Sequence, residues 1–169
     1  MNGELIVVDD VPGEFSERVV EAFLHRPGDG FSLVLSGGST ARRCYERLAA
    51  DGADQVDWWQ VDVYWGDERC VPPDDPDSNE RLGREALLER VGAANAVYPM
   101  RCEEGPDPYQ QRVAQAGRLD LVHLGLGPAT ARPTDRRARR HGRPARGRPA
   151  RRRRRARGAW RHASPRRTR

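Results

Sequence analysis

The 169-residue sequence contains no lysine, although it carries 30 arginines. A phosphate or carboxylate can still be held without lysine, by guanidinium forks, hydroxyls or backbone N–H groups. Cysteine is scarce. Cys44, Cys70 and Cys102 are far apart and form no CxxC pair. They suit a reduced cytosolic protein and read as small side chains in or near a core. No run of about 18 apolar residues is present, which excludes a membrane-spanning helix of the usual kind. The opening stretch "MNGELIVVDDVPGE" has no basic region before its apolar residues and turns acidic quickly, unlike a secretory signal.

Acidic residues are almost missing from one end of the chain. Residues 1–128 hold 12 arginines and 24 acids, a net charge of −12. Residues 129–169 hold 18 arginines and a single acid, Asp135, a net charge of +17. An asymmetry this large divides the chain in two before any fold is considered. The first part has enough apolar residues for roughly one small domain.

Within residues 1–128 apolar runs alternate with helical patterns. "ELIVV" (4–8), "FSLVL" (31–35), "VDVYW" (61–65) and "LDLVHLGLG" (119–127) read as strands. Pro12 opens a helix carrying Phe15, Val19 and Phe23 at four-residue spacing, with Val20 and Leu24 beside them. Cys44, Tyr45 and Leu48 mark one face of a second helix. "GDERCVPPDDPDSN" (66–79) is a loop rich in turn residues. Asp77 with Glu80 resembles a capping box before a helix bearing Leu82, Ala86 and Leu87. Asp107 and Pro108 start another helix with Tyr109 and Val113 inward. Strand–helix alternation predicts an α/β fold, a Rossmann-like parallel sheet with flanking helices. In such sheets the ligand site lies beyond the carboxyl ends of the strands. The loops beginning at Ser36, Gly66 and Gly125 should therefore meet on one edge.

Two of those loops carry chemistry. In "LSGGST" (35–40), Gly37 and Gly38 let the backbone turn tightly, and Ser39 and Thr40 bring hydroxyls to a helix N-terminus. This is the composition of a phosphate cradle, and also of a plain strand-to-helix turn. In "WGDER" (65–69), Arg69 could grip a phosphate or carboxylate, while Asp67 or Glu68 could act as a base or bind a sugar hydroxyl. A solvated surface loop is the alternative.

"LSGGST", then "WWQVDVYWGDERCVPPDDPDSN", then "LDLVHLGLGP", in this order and spacing, resemble the 6-phosphogluconolactonase family, which belongs with the glucosamine-6-phosphate isomerases and deaminases. The resemblance covers roughly residues 3–128. It implies a cytoplasmic enzyme without metal or cofactor that hydrolyses 6-phosphogluconolactone to 6-phosphogluconate in the pentose phosphate pathway. Carried over by position, Gly37, Gly38, Ser39 and Thr40 would cradle the substrate phosphate, and Asp67, Glu68 and Arg69 would line the site. The family continues its strand with Gly-x-Gly-Pro-Asp-Gly-His, whose histidine is the expected catalytic base. Gly125, Gly127 and Pro128 match, but Ala129, Thr130 and Ala131 follow, so that histidine is missing. His123 lies within the expected strand and is no substitute by register. The resemblance thus implies an inactive chain with an α/β sheet incomplete on its C-terminal side. A sugar-phosphate isomerase or deaminase-type binder is the alternative within the same superfamily.

Residues 129–169 have two explanations. A genuine arginine-rich tail would be disordered and would bind nucleic acid or other polyanions non-specifically through phosphates. A reading-frame error is favoured by composition. Of the 41 residues, 33 are arginine, alanine, proline or glycine, whose codons can be built from G and C alone. The absence of lysine points the same way. Ala129-Thr130-Ala131 can be encoded so that a shifted frame reads Asp-Gly, as the family pattern requires, but the next shifted codon cannot encode histidine. One clean shift does not restore the motif.

Overall fold

The computed structural model describes residues 3–125. The expectations for residues 126–169, including the Gly127–Pro128 match and the character of the arginine-rich segment, lie outside the described residues. Eight elements build the fold: α1 (Val11–Leu24), β1 (Phe31–Leu35), α2 (Ser39–Asp51), β2 (Val61–Trp65), α3 (Asn79–Gly83), β3 (Ala96–Tyr98), α4 (Pro106–Ala116) and β4 (Leu121–Val122). A single π-helical turn, Arg84–Leu88, continues α3. The four strands form one parallel sheet in the order β3-β2-β1-β4.

Local chemistry explains the starts of α1 and α3. Asp10 caps α1 by accepting the Gly13 N–H at 3.1 Å, and Pro12 occupies the first turn, where its missing N–H costs nothing. Ser78 caps α3, its Oγ accepting the Arg81 N–H at 3.1 Å. The capping residue is thus Ser78 and not Asp77. The Asp77 N–H instead closes a turn onto Asp75.

Alternate residues along the strands face opposite sides of the sheet. Phe31, Leu33, Leu35, Val61, Val63 and Trp65 face the main core, where they meet Val19 and Phe23 of α1, Cys44, Tyr45 and Leu48 of α2, and Ala86 and Leu87 after α3. Val34 and Tyr64 point to the other face, where Tyr64 stacks on Tyr98 and Arg112 of α4 lies over the Tyr98 ring. That second face is less covered. Val122, paired with Val34 in the register, is 44% exposed, and Leu124 is 72% exposed.

Three expectations change. "ELIVV" forms no strand, and its Leu5 is 89% exposed, because no strand among the described residues lies beside it to offer hydrogen-bond partners. A short strand at 96–98 fills the sheet edge beside β2 instead. The third change concerns the cysteines. Cys70 and Cys102 form a disulfide outside the core, and only Cys44 is a buried core thiol. No helix among the described residues is long and apolar enough to cross a membrane.

Candidate functional site at the carboxyl edge of the sheet

The site begins where β1 ends. Ser36 is buried, and both its backbone groups are held by one side chain. Its N–H donates to Tyr45 Oη at 2.7 Å, and Tyr45 Oη donates to its carbonyl at 3.0 Å. Tyr45 sits two turns into α2, so this pair folds the helix back on the strand end and fixes the intervening loop. Burial pushes the Tyr45 phenol far above its ordinary value, which keeps its proton in place. His123 Nδ1 lies 3.0 Å from the same oxygen and completes its hydrogen-bonding shell. Burial also lowers the His123 pKa, so the ring is neutral at pH 7. β2 ends in the same way. Tyr109 of α4 accepts the Trp65 N–H at 2.8 Å and donates to the Trp65 carbonyl at 2.7 Å.

The glycine loop follows. Gly38 has φ +103°, a conformation that side chains strain to adopt, and it stands at the N-cap of α2 without any side-chain cap. The first-turn N–H groups of α2 thus lack a side-chain cap, and Ser39 and Thr40 are exposed beside them. Gly37 is glycine for a different reason. A methyl added at Gly37 would overlap the Asn79 side chain, with even its Nδ2 only 2.7 Å from the methyl carbon.

Asn79 ties this loop to the next. It is 4% exposed, and its Nδ2 donates to both the carbonyl and Oδ2 of Asp67 at 3.0 Å. Its own carbonyl accepts the Trp65 indole N–H at 3.0 Å. Asp67 itself is exposed, with Oδ1 3.4 Å from Ser36 Oγ. Glu68 turns inward to α3: Oε1 accepts the Arg69 and Asn79 N–H groups, and Oε2 accepts the Glu80 N–H at 2.7 Å and Ser78 Oγ at 3.4 Å. A carboxylate at a helix N-terminus is favourable, and here it anchors the loop. Arg69 is exposed and lies toward Arg101 and Cys102, with no ion-pair partner among the described residues.

The third loop closes the site. The His123 N–H extends the β1–β4 ladder to the Val34 carbonyl at 3.0 Å, and the Gly66 N–H meets the Leu35 carbonyl at 2.8 Å. Gly66 packs against Leu124, while Gly125 lies beside Ser36 Oγ and the Gly37 carbonyl. The loops beginning at Ser36, Gly66 and Gly125 therefore adjoin at one sheet edge. Among the described residues no group of His, Cys, Asp or Glu could hold a metal ion. Tyr45, Tyr109 and the Asn79 clamp carry no local sequence signature. Each reads as an ordinary core aromatic or turn residue until the fold supplies its partner.

Parallel strands whose carboxyl ends converge on an uncapped helix N-terminus and an acid-bearing loop define an α/β protein of the Rossmann-like kind. The chain belongs to the glucosamine-6-phosphate isomerase/6-phosphogluconolactonase family, whose model matches residues 7–130. It is 37% identical over 124 residues to a 6-phosphogluconolactonase of Synechocystis, covering 65% of this chain and 50% of that protein. A 6-phosphogluconolactonase of Nostoc is 51% identical over 111 residues, covering 57% of this chain and 45% of the relative. Among solved structures, the 6-phosphogluconolactonase of Thermotoga maritima superposes with a TM-score of 0.62 at 27% identity, covering 72% of this chain and 59% of that one. A monomeric glucosamine-6-phosphate deaminase has a TM-score of 0.60 at 17% identity, a likeness of fold alone. The chain spans about half the length of the curated relatives it matches.

Proposed function

We propose that the site binds a phosphorylated sugar lactone, 6-phosphogluconolactone, and that the chain derives from a cytoplasmic 6-phosphogluconolactonase. The observation that carries this reading is the juxtaposition of the uncapped α2 N-terminus with Asp67, bridged by Asn79. The phosphate would sit on the N–H groups and hydroxyls of Gly38, Ser39 and Thr40, held further by the helix dipole. Asp67 would face the sugar ring, and Gly37 and Glu68 would shape the loops. Arg69 is exposed and has no ion-pair partner among the described residues, so it could reach a second anionic group.

Hydrolysis adds water to the lactone carbonyl and breaks its bond to the ring oxygen, which takes a proton. The attacking water needs a base. The base implied by the family pattern is a histidine at residues 129–131, where this chain has Ala, Thr and Ala. We therefore propose binding without turnover. In calorimetry the full chain should bind 6-phosphogluconate, and S39A/T40A should weaken binding at least tenfold. A coupled assay should show lactone hydrolysis no faster than the spontaneous rate. Absence of phosphosugar binding would overturn the substrate assignment, and robust turnover would overturn the role given to the missing histidine. Isomerisation of a sugar phosphate in place of lactone binding would favour the deaminase-type alternative. For the 18 arginines of residues 129–169 we propose only non-specific nucleic-acid binding, which should collapse as salt rises. Reading the DNA around codon 128 in all three frames tests the proposed frame error.

A further inference from the structure

We propose that Cys70 and Cys102 form a reversible thiol–disulfide site whose state sets the order of the loop that carries Asp67. The bond joins residues 32 apart in sequence with a Cα–Cα distance of 5.4 Å. Cys70 is exposed and Cys102 is half-buried, and neither belongs to the core cluster. The bond therefore does not replace missing core packing, the usual task of disulfides in small domains.

What the bond holds is specific. Two residues before Cys70, Glu68 caps the N-terminus of α3 through the N–H groups of Asn79 and Glu80. One residue before Cys102, Arg101 pairs with the Glu80 carboxylate. The two cysteines thus sit beside the two side chains that grip the first turn of α3, Glu68 on its N–H groups and Arg101 on the Glu80 carboxylate. That turn carries Asn79, which holds Asp67 by two hydrogen bonds and packs on Gly37. The path from the cross-link to the glycine loop runs through polar contacts only. Residues 69–74, in the middle of the loop, are exposed, and none of them joins the core cluster. Besides the disulfide they are held by polar contacts at the surface: Arg81 and Arg84 bind Asp74, and the Asp75 N–H closes a turn onto the Pro72 carbonyl.

The chemistry needs a dithiol reductant. Its thiolate attacks the exposed Cys70 sulfur and forms a mixed disulfide, and Cys102 leaves as a thiolate and takes a proton. The second thiol of the reductant then displaces Cys70. The protein gains two electrons and two protons, and the reductant becomes a cyclic disulfide. An oxidised dithiol reverses each step.

The test uses the full chain carrying Cys44→Ser, which silences the core thiol. The protein is equilibrated in mixtures of reduced and oxidised dithiothreitol. Free thiols are counted by maleimide labelling and intact mass, and amide exchange is followed by peptide. Reduction should expose two thiols, and reoxidation should hide them again. Exchange across residues 66–83 should rise at least tenfold on reduction, while residues 31–35 stay protected. C70S should match the reduced form with or without reductant. Equal exchange of residues 66–83 in the two states overturns the proposal. So does a rise spread evenly over the whole fold, or a bond that fails to re-form. The proposal goes beyond the lactone reading and does not depend on it. 6-Phosphogluconate titrated into both states separates the two: loss of binding in both, with redox-dependent exchange intact, would refute only the lactone reading.

Discussion

Gly37→Ala tests the contact that joins the glycine loop to the Asp67 loop. The added methyl has no room, because the Asn79 amide already occupies its place. The amide cannot simply swing aside, since it is buried and its Nδ2 makes two bonds to Asp67 at 3.0 Å. Breaking them costs about 1 kcal/mol for the bond to the neutral carbonyl and about 2 kcal/mol for the bond to the carboxylate. Moving α3 instead would break the Glu68 cap, at a similar cost. The expected loss is thus about 3 kcal/mol, roughly a hundredfold in the folding equilibrium. Asn79→Ala removes every Asn79 atom that the methyl would meet. In that background Gly37→Ala should cost nothing, or stabilise by about 0.5 kcal/mol by reducing the freedom of the unfolded chain. Urea denaturation of the wild type, both single variants and the double variant gives the coupling energy, expected near 3 kcal/mol. A cost for Gly37→Ala below about 1 kcal/mol, or the same cost in both backgrounds, would refute the assignment of Asn79 as the clamp.

Tyr45→Phe should destabilise the chain by about 2–3 kcal/mol in urea, because it leaves the buried N–H and carbonyl of Ser36 unpaired. His123 supplies a pH signature. Burial lowers its folded pKa below 6.5, so above that pH the ring is neutral in both states and costs nothing. As pH falls below 6.5 the unfolded chain takes up a proton that the fold resists, and stability declines until the folded pKa is reached. A urea midpoint that falls between pH 7 and 5 in the wild type should fall less in His123→Gln, and parallel slopes would contradict the account. Glu68→Gln should cost about 1–2 kcal/mol in the same urea assay and raise amide exchange at Asn79 and Glu80, because the α3 cap loses its charge.

The central strands were legible because "FSLVL" and "VDVYW" are continuous apolar runs bounded by turn residues, and both coincide with β1 and β2. "ELIVV" looks the same in one dimension, yet whether a run becomes a strand depends on a partner, and Leu5 has none among the described residues. The three-residue β3 is too short for its alternation to stand out from "AANAVYPM". β4 covers two of the nine residues that "LDLVHLGLG" suggested, of which seven are described. The convergence of the three loops followed from parallel topology alone. The clamps did not. Nothing near Tyr45 announces Ser36 and His123, nothing near Asn79 announces Gly37, and 32 residues separate the bonded cysteines.

The strand order has a kinetic consequence. β1 and β2 are joined through α2, and β2 and β3 through α3, so those pairs form between near neighbours in the chain. β4 pairs with β1 across a much longer span, since the Asp120 carboxylate meets the Ser32 N–H 88 residues away. Closing that span costs more chain entropy and comes late. Gly37, Gly38 and the start of α2 belong to the early part, whereas the His123 contact with Tyr45 belongs to the late one. A growing polypeptide thus acquires its glycine loop and the start of α2 before its sheet is closed. An anion captured at that moment would draw the folding equilibrium forward by mass action.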